Sequence, residues 1–563
     1  MRQALHVLLL VSASGAGAAT GAGARVSDVG ARVPHAVVGR EAAPRWAWAD
    51  TSAWYPRLLA DGVRVERCLD LRLAHHVLRL APGTASSRLA TAPPSWFDGP
   101  GTSGARPADD TLFVVDRSAD EPDENACVAE LQAQDEAVAA APFAARLRLL
   151  LAAESAGALA AAEMHHAGVP WDPAVHDGVL RAVLGPRPRG GERPARLEEL
   201  AAAVRAALDS PGLNPDSQPD VLRALRRVGL PVTSTRRWEL ERLDHPAVEP
   251  LVQYKKLSRL HAANGWAWLD AWVAGGRFRP EYVVGGVVTG RWGSSGGGAL
   301  QLPRQLRGAV RADAGWSLVV ADAAQLEPRV LAGLAHDERL AAAGRGHDLY
   351  GAMVAAGVVA DRTLAKVGML GALYGGTTGV SATVLPRLAR AYPDALAYVE
   401  AAARAGERGE VVSTLLGRGS PRPGADWEQA QLAALADDAG SGLEARARAA
   451  GRSWGRFTRN FVVQGTAAEW ALAWIAETRR RLWALGESGT AGLAPEPFAQ
   501  RPHLVYFLHD ELVVHTPTAL APVVVDEVRA AAAAAGRLLF GDFPVELPLS
   551  VGVAESYGDA KGG

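Results

Sequence analysis

The chain has 563 residues, 48% of them hydrophobic, and a formal net charge of −2. That length accommodates several domains, and no stretch approaches the ~20-residue apolar run that a membrane span needs. Two cysteines, Cys68 and Cys127, exclude a disulfide framework and a cysteine metal cluster. A near-neutral total gives no global sign of a polyanion partner, although a groove can be basic while the average is neutral.

In chain order, the first apolar run is Ala4–Val11, followed by small residues. It has the look of a secretion signal, but the preferred reading is a buried first strand followed by a Gly-rich loop. Up to about residue 140 the chain is a patchwork of short apolar runs and Pro/Gly breaks, as expected of a small α/β domain. Ala/Leu/Arg/Glu helices follow over 143–210, broken at Gly185–Gly191, and more over 212–275 with a turn at Gly229-Leu230-Pro231. From about 280 onward, strand-like runs at 282–288, 316–321 and 504–515 bracket a helical insertion at roughly 325–480.

Carboxylates stand at the ends of two of these runs. Asp322 closes Leu318-Val319-Val320-Ala321, and His509-Asp510-Glu511 forms the tip between two β-type runs. Adjacent acids repel and are costly to hold together unless a cation sits on them. The bland reading of His509-Asp510-Glu511 is a solvated hairpin turn. Two distant strand-borne sites point instead to a shared Mg²⁺ site whose octahedral shell is completed by substrate phosphates.

The intervening helices carry matching chemistry. Arg362, Lys366, Leu370 and Tyr374 recur every four residues on one slowly drifting helix face, and Lys is otherwise found only at 255, 256 and 561. Two cations followed by an apolar and an aromatic position suit a triphosphate and a base better than a core stripe. Solvated surface cations are the alternative. Arg456, Asn460 and Gln464 repeat the spacing with side chains able to donate to minor-groove acceptors, a polar surface stripe being the alternative. Upstream, Thr289–Gly298 is rich in Gly and Ser and leads to Arg304 and Arg307; with Arg291 these cations suit a phosphodiester backbone.

Taken in order, these segments resemble the polymerase module of bacterial family A DNA polymerases, the DNA polymerase I type. Asp322–Arg329 is similar to the family's DYSQIELR motif, Arg362–Gly375 to its RxxxKxxxFGxxYG helix and His509-Asp510-Glu511 to its HDE motif. Thr289–Pro303 is similar to the TGRxSSxxPNLQNIP segment and Gln464–Ala468 to QGTAAD. Glu163–Asp172 resembles the ME-x-x-G-V-x-x-D entry, and 213–217 with 229–233 resembles the thumb. The likeness covers roughly 145–563. It implies an α+β chain: a right-hand polymerase over 143–563, preceded over 1–142 by a small α/β RNase H-like domain of the 3′–5′ exonuclease type. The thumb falls at about 195–278, the palm at about 280–335 and 446–563, and the fingers at about 336–445.

The resemblance further implies template-directed addition of deoxynucleotides to a primer 3′-hydroxyl, in DNA replication or repair. Asp322 and Asp510, with the Ala323 carbonyl, hold two Mg²⁺ ions, for which Mn²⁺ can substitute, and Glu511 supports them. Arg362 and Lys366 grip the triphosphate, and Lys366 can give a proton to pyrophosphate. Glu327, with Gln325 beside it, blocks a ribose 2′-hydroxyl, and Leu370 and Tyr374 complete the nucleotide site. Arg291, Arg304, Arg307, Arg456, Asn460, Gln464 and His509 attend the primer–template. The partners are then primer–template DNA and deoxynucleoside triphosphates, without a membrane, for a monomer in the cytoplasm at the nucleoid.

Departures are visible. Ala323-Ala324 replace the family's Tyr-Ser, Pro328 replaces Leu, and Leu370 and Met369 stand at the aromatic and preceding Asn positions. The front domain lacks the paired Asp-x-Glu of a two-metal exonuclease: Ala4–Val11 has no acid, Asp50, Asp61 and Asp70 are scattered, and Gln132–Glu136 lacks the Tyr-x-x-x-Asp form. It is read as degenerate, with no room ahead of it for a 5′-nuclease. The rival readings are a single-subunit RNA polymerase, against which Glu327 and the Gln464–Ala468 helix argue, and a decayed polymerase that binds duplex without catalysis.

Overall fold

The computed structural model describes residues 8–12, 15–19, 45–99, 122–346, 348–376, 379–436 and 440–561. They pack as two compact units. One comprises the described residues of 1–167, 280–300 and 314–553, the other those of 168–279, 301–313 and 554–563.

The second unit is mainly helical, with helices Pro173–Leu184, Ala195–Ala207, Gln218–Arg227 and Val248–Asn264. Both sequence breaks are present: one helix ends at Leu184 before the Gly/Pro run, another at Arg227 before Gly229-Leu230-Pro231. Val204, Ala224, Leu225, Leu240 and Leu251 are fully buried between these helices. Each Leu removed from water contributes roughly 1.5–3 kcal/mol.

In the first unit, Leu8–Ser12 is a strand, as expected, and the Gly-rich stretch read as a loop is its antiparallel partner, Gly15–Ala19. A parallel pair, Arg45–Trp48 and Arg67–Asp70, follows. The main body is built from helix α1 (Ala144–Ala167), strand β1 (Trp316–Ala323) and helices α2 (Leu326–Ala335), α3 (Leu349–Ala355), α4 (Arg362–Tyr374) and α5 (Ser441–Ala484). Strands β2 (His503–Leu508) and β3 (Glu511–Pro517), helix α6 (Ala521–Phe540) and strand β4 (Leu549–Ala554) complete it.

The sheet order is β2-β3-β1-β4, so the two acid-bearing strands, β1 and β3, are direct antiparallel neighbours. Their near-continuous Val/Leu runs reflect burial on both faces: Leu318, Val319, Val320, Leu512 and Val513 are at most 2% exposed. Trp474 on α5 donates from Nε1 to the Val528 carbonyl of α6 (3.1 Å), satisfying its polar atom inside the core. Of the 282–288 run, only Glu281–Val283 is strand, paired with Gly293–Gly296. Beyond it Gly285, with φ +63°, turns the chain away, so the β-propensity of Val287 and Val288 is spent on a turn.

Candidate active site

The β1–β3 register places Asp322 directly opposite Glu511. One step on, the Ala323 amide donates to the Asp510 carbonyl (3.0 Å), so the ends of the two strands are tied beside their carboxylates. His509 adopts φ +59°, the left-handed conformation that closes the two-residue tip between β2 and β3. Burial and the neighbouring charge of Asp322 push the Asp510 carboxyl up to about 6, against a weaker opposing pull from Arg291. Glu511 is 3% exposed. Two carboxylates crowded together at the strand ends form a hard-oxygen donor pair that a divalent cation would relieve. Among the described residues no group of three or more acidic, His or Cys side chains forms a protein-only metal cage. Such a pair fits an ion that takes its remaining ligands from substrate and water.

Helix α4 forms where its sequence signals it. Asp361 caps it by accepting from the Leu364 amide (2.8 Å), and Gly375, at φ +71°, ends it. Gly is required there for a second reason: a Cβ would lie 2.7 Å from Arg456 Cγ of α5. Ala365, Gly368, Met369, Ala372 and Leu373 are buried, whereas Arg362, Lys366 and Tyr374 are exposed and Leu370 is half-buried. The four-residue stripe is therefore the open face of the helix, as the spacing requires.

Glu327, in the first turn of α2, joins two of these groups. It accepts from Tyr374 Oη (2.8 Å) and from Arg291 Nη2 (2.6 Å). Although the side chain is exposed, partial desolvation of its hydroxyl and then Glu327 push the Tyr374 phenol up to about 12. Arg291 follows the Val287–Gly290 turn, where Gly290 has φ +84° and a Cβ would collide with the Arg418 guanidinium. Gly290, Arg291, Trp292, Leu326, His509 and Asp510 line one cleft. The His509 imidazole is held low by burial and Arg291.

On α5, Arg456 is exposed and Asn460 and Gln464 are half-buried. Gln464 Oε1 accepts from Thr289 Oγ1 (3.1 Å), linking the helix to the turn before Arg291. Arg304 and Arg307 belong to the second unit, in the short helix Arg304–Ala309, with Arg307 over the Tyr557 ring. Gln325, at the left-handed start of α2, donates to Asp348 (2.9 Å). Asp348 also accepts from Arg362 Nε (3.0 Å), and Arg362 lies over the Tyr350 ring. No sequence signal marks Asp348 and Tyr350, because they precede α4 and share no periodicity with it.

In the front region the acids have other duties. Asp50 accepts from the Ser52 amide (2.8 Å) and pairs with Arg72 (3.0 Å). Asp70 accepts from the Thr51 and Leu73 amides (2.7 and 2.9 Å), and burial raises its carboxyl to about 6. Both carboxylates are consumed as helix caps.

Residues 194–559 match the family model of DNA polymerase family A. This is well over half the chain, and the protein belongs to DNA polymerase family A. It is 26% identical over 401 residues to the thermostable DNA polymerase I of Thermus filiformis, covering 65% of this chain and 42% of that protein. The DNA polymerase I of Chloroflexus aurantiacus is 27% identical over 327 residues, covering 53% and 31%. The chain thus spans about two-fifths or less of the length of these curated relatives. The polymerase domain of Pol1 from M. smegmatis, solved in complex with DNA primer-template and dNTP, superposes with a TM-score of 0.67 at 18% identity, over 99% of this chain and 96% of that one. The α+β fold expected from the sequence is therefore the fold of that polymerase domain. Members of the family use divalent metal ions. Among the described residues no helix is long and apolar enough to cross a membrane.

Proposed function

We propose that this chain is a template-directed DNA polymerase that adds deoxynucleotides to a primer 3′-hydroxyl. The observation that carries the reading is the register of β1 against β3, which brings the Asp322 and Asp510 strand ends together from positions 188 residues apart. In this reading Asp322, Asp510 and the Ala323 carbonyl hold two Mg²⁺ ions, with Glu511 supporting them. Bound there, the ions lower the pKa of the primer hydroxyl and neutralise the leaving pyrophosphate.

The chain's own groups position and discriminate. Arg362 and Lys366 receive the triphosphate from the open face of α4, and Lys366 stands ready to protonate pyrophosphate. Glu327 occupies the space of a ribose 2′-hydroxyl, and its bond to Tyr374 Oη keeps the carboxylate in that position. Tyr374 stacks near the templating base. Arg291, Arg456, Asn460 and Gln464 follow the primer–template minor groove, donating to its acceptors. His509, Arg304 and Arg307 contribute contacts to the duplex backbone.

The thumb then spans about 195–278, the palm about 280–335 and 446–563, and the fingers about 336–445, behind a degenerate exonuclease-like region over 1–142. The partners are primer–template DNA and deoxynucleoside triphosphates, and the place of action is the nucleoid. Extension of a labelled primer–template with Mg²⁺ and either deoxy- or ribonucleotides tests the reading. Extension with deoxynucleotides, and no 3′-digestion when nucleotides are withheld, is the expected result. Duplex binding without extension would leave a decayed DNA-binding protein, and preferential ribonucleotide use would make it an RNA polymerase.

A further inference from the structure

Arg362 opens α4, and protein groups hold its guanidinium. Its Nε donates to Asp348 Oδ2 at 3.0 Å, and its Cζ lies 5.7 Å from the Tyr350 ring centroid. Its two Nη atoms engage no protein group among the described residues. A guanidinium anchored through Nε turns its terminal fork away from the anchor, and that fork is the edge that binds phosphate oxygens in pairs. Lys366 follows one turn later on the same open face.

The anchor is itself braced. Gln325 Nε2 donates to Asp348 Oδ1 (2.9 Å), while Gln325 Oε1 accepts from the Leu349 amide (2.9 Å) and from Arg329 Nη2 (3.3 Å). Arg329 is 1% exposed and donates to the carbonyls of Ala324, Gly346 and Glu546. A continuous chain of hydrogen bonds therefore runs from the end of the Asp322 strand through Arg329, Gln325 and Asp348 to Arg362. Arg362 and Gln325, with the Gly351 amide, hold the Asp348 carboxyl below the usual range, so it is ionised wherever the site operates.

We propose that Asp348 is a positioning residue that aims the Arg362 fork at the triphosphate of the incoming nucleotide. The inference rests on the reading of Arg362 given above and adds a residue and a role to it. A long side chain fixed beforehand loses less freedom when its ligand arrives, so the effect belongs to nucleotide binding rather than to the duplex or the chemical step.

Steady-state single-nucleotide incorporation by the full chain, with Asp348→Ala, Asp348→Asn, Arg362→Ala and the Asp348→Ala/Arg362→Ala double variant, tests this. Asp348→Ala is expected to raise the KM for nucleotide about five-fold, the scale of a partly exposed ion pair. Its kcat should stay within about two-fold, with primer–template affinity in the absence of nucleotide unchanged. Asp348→Asn, which keeps an acceptor oxygen and folds with the same shape, should fall between wild type and Asp348→Ala. The double variant should match Arg362→Ala, because Asp348 acts only through that side chain. An unchanged or lowered KM in both Asp348 variants, or a double variant additive in its losses, would overturn the proposal. A wild-type chain that extends no primer would overturn the reading of the site and this one with it, whereas extension with KM untouched by Asp348 overturns this one alone.

Discussion

Glu327 holds Tyr374 and Arg291 at once. Glu327→Ala removes both contacts and the bulk proposed to exclude a 2′-hydroxyl. Ribonucleotide incorporation relative to deoxynucleotide should rise by about ten-fold or more, the scale on which a lost steric and polar contact changes selectivity. A ratio of kcat/KM values on one primer–template measures it, and an unchanged ratio would remove Glu327 from sugar selection. Leu370 is the opposite case: it is half-buried on the open face of α4, where the family carries a ring. Leu370→Phe should lower the nucleotide KM by about three-fold and increase inhibition by 3′-deoxy analogues, since an aromatic face covers more of the sugar. Residues of this kind were legible because strand and helix periods put Asp322, Asp510, Arg362 and Tyr374 at marked positions. Asp348 was not, since its importance lies in reaching Arg362 across 14 residues and a turn.

At the scale of elements, α5 shows how a motif can be read correctly in place but incompletely in purpose. The stripe Arg456, Asn460 and Gln464 was legible as a polar face and Gln464–Ala468 as a family-like segment, yet the next residue, Glu469, points inward and is 1% exposed. It accepts from Thr414 Oγ1 and from the Leu416 amide (3.1 Å), pinning the loop whose Ser413–Gly419 bridge carries Arg418 to Glu154 on α1. No local pattern announces such a contact, because its partners lie more than 50 residues away. Burial pushes the Glu469 carboxyl up to about 7, opposed by Thr414, Leu416 and Arg418 and reinforced by Glu154. The folded state therefore holds a proton that the unfolded chain releases near its ordinary value of 4.5. Stability from this group is complete below about 4.5 and is lost as pH rises to about 7, on the order of 3 kcal/mol in all. Glu469→Gln should flatten that part of the curve, as denaturant midpoints taken across the window will reveal; an identical slope in both proteins would rule the carboxyl out. The end of α4 gives a second check. Gly375→Ala meets both the left-handed backbone and Arg456, and should cost about 1–2 kcal/mol in the same assay.

For the whole molecule, the Glu163-Met164 pair was legible as part of a family-like segment, and the structure supplies its physical reason. Glu163 is buried with Arg479 (2.6 Å), Arg64 (3.1 Å) and Tyr55 Oη (2.6 Å), joining α1, the long helix α5 and the front region into one body. Removing the carboxylate leaves two arginines in the interior, so Glu163→Ala should destabilise the fold by about 3–5 kcal/mol and lower the melting temperature of the body as one transition. A melting curve superimposable on wild type would contradict that role.

The same body carries the catalytic claim, which depends on two strands bringing their acids to one place. The most direct measurement is the rate of Mg²⁺-dependent primer extension by Asp322→Ala, Asp510→Ala and the double variant. Each single variant is predicted to lose at least about a thousand-fold with primer–template affinity retained, and the double variant to fall no further, because groups acting as one unit are not additive. Extension within a few-fold of wild type in either single variant would contradict the account.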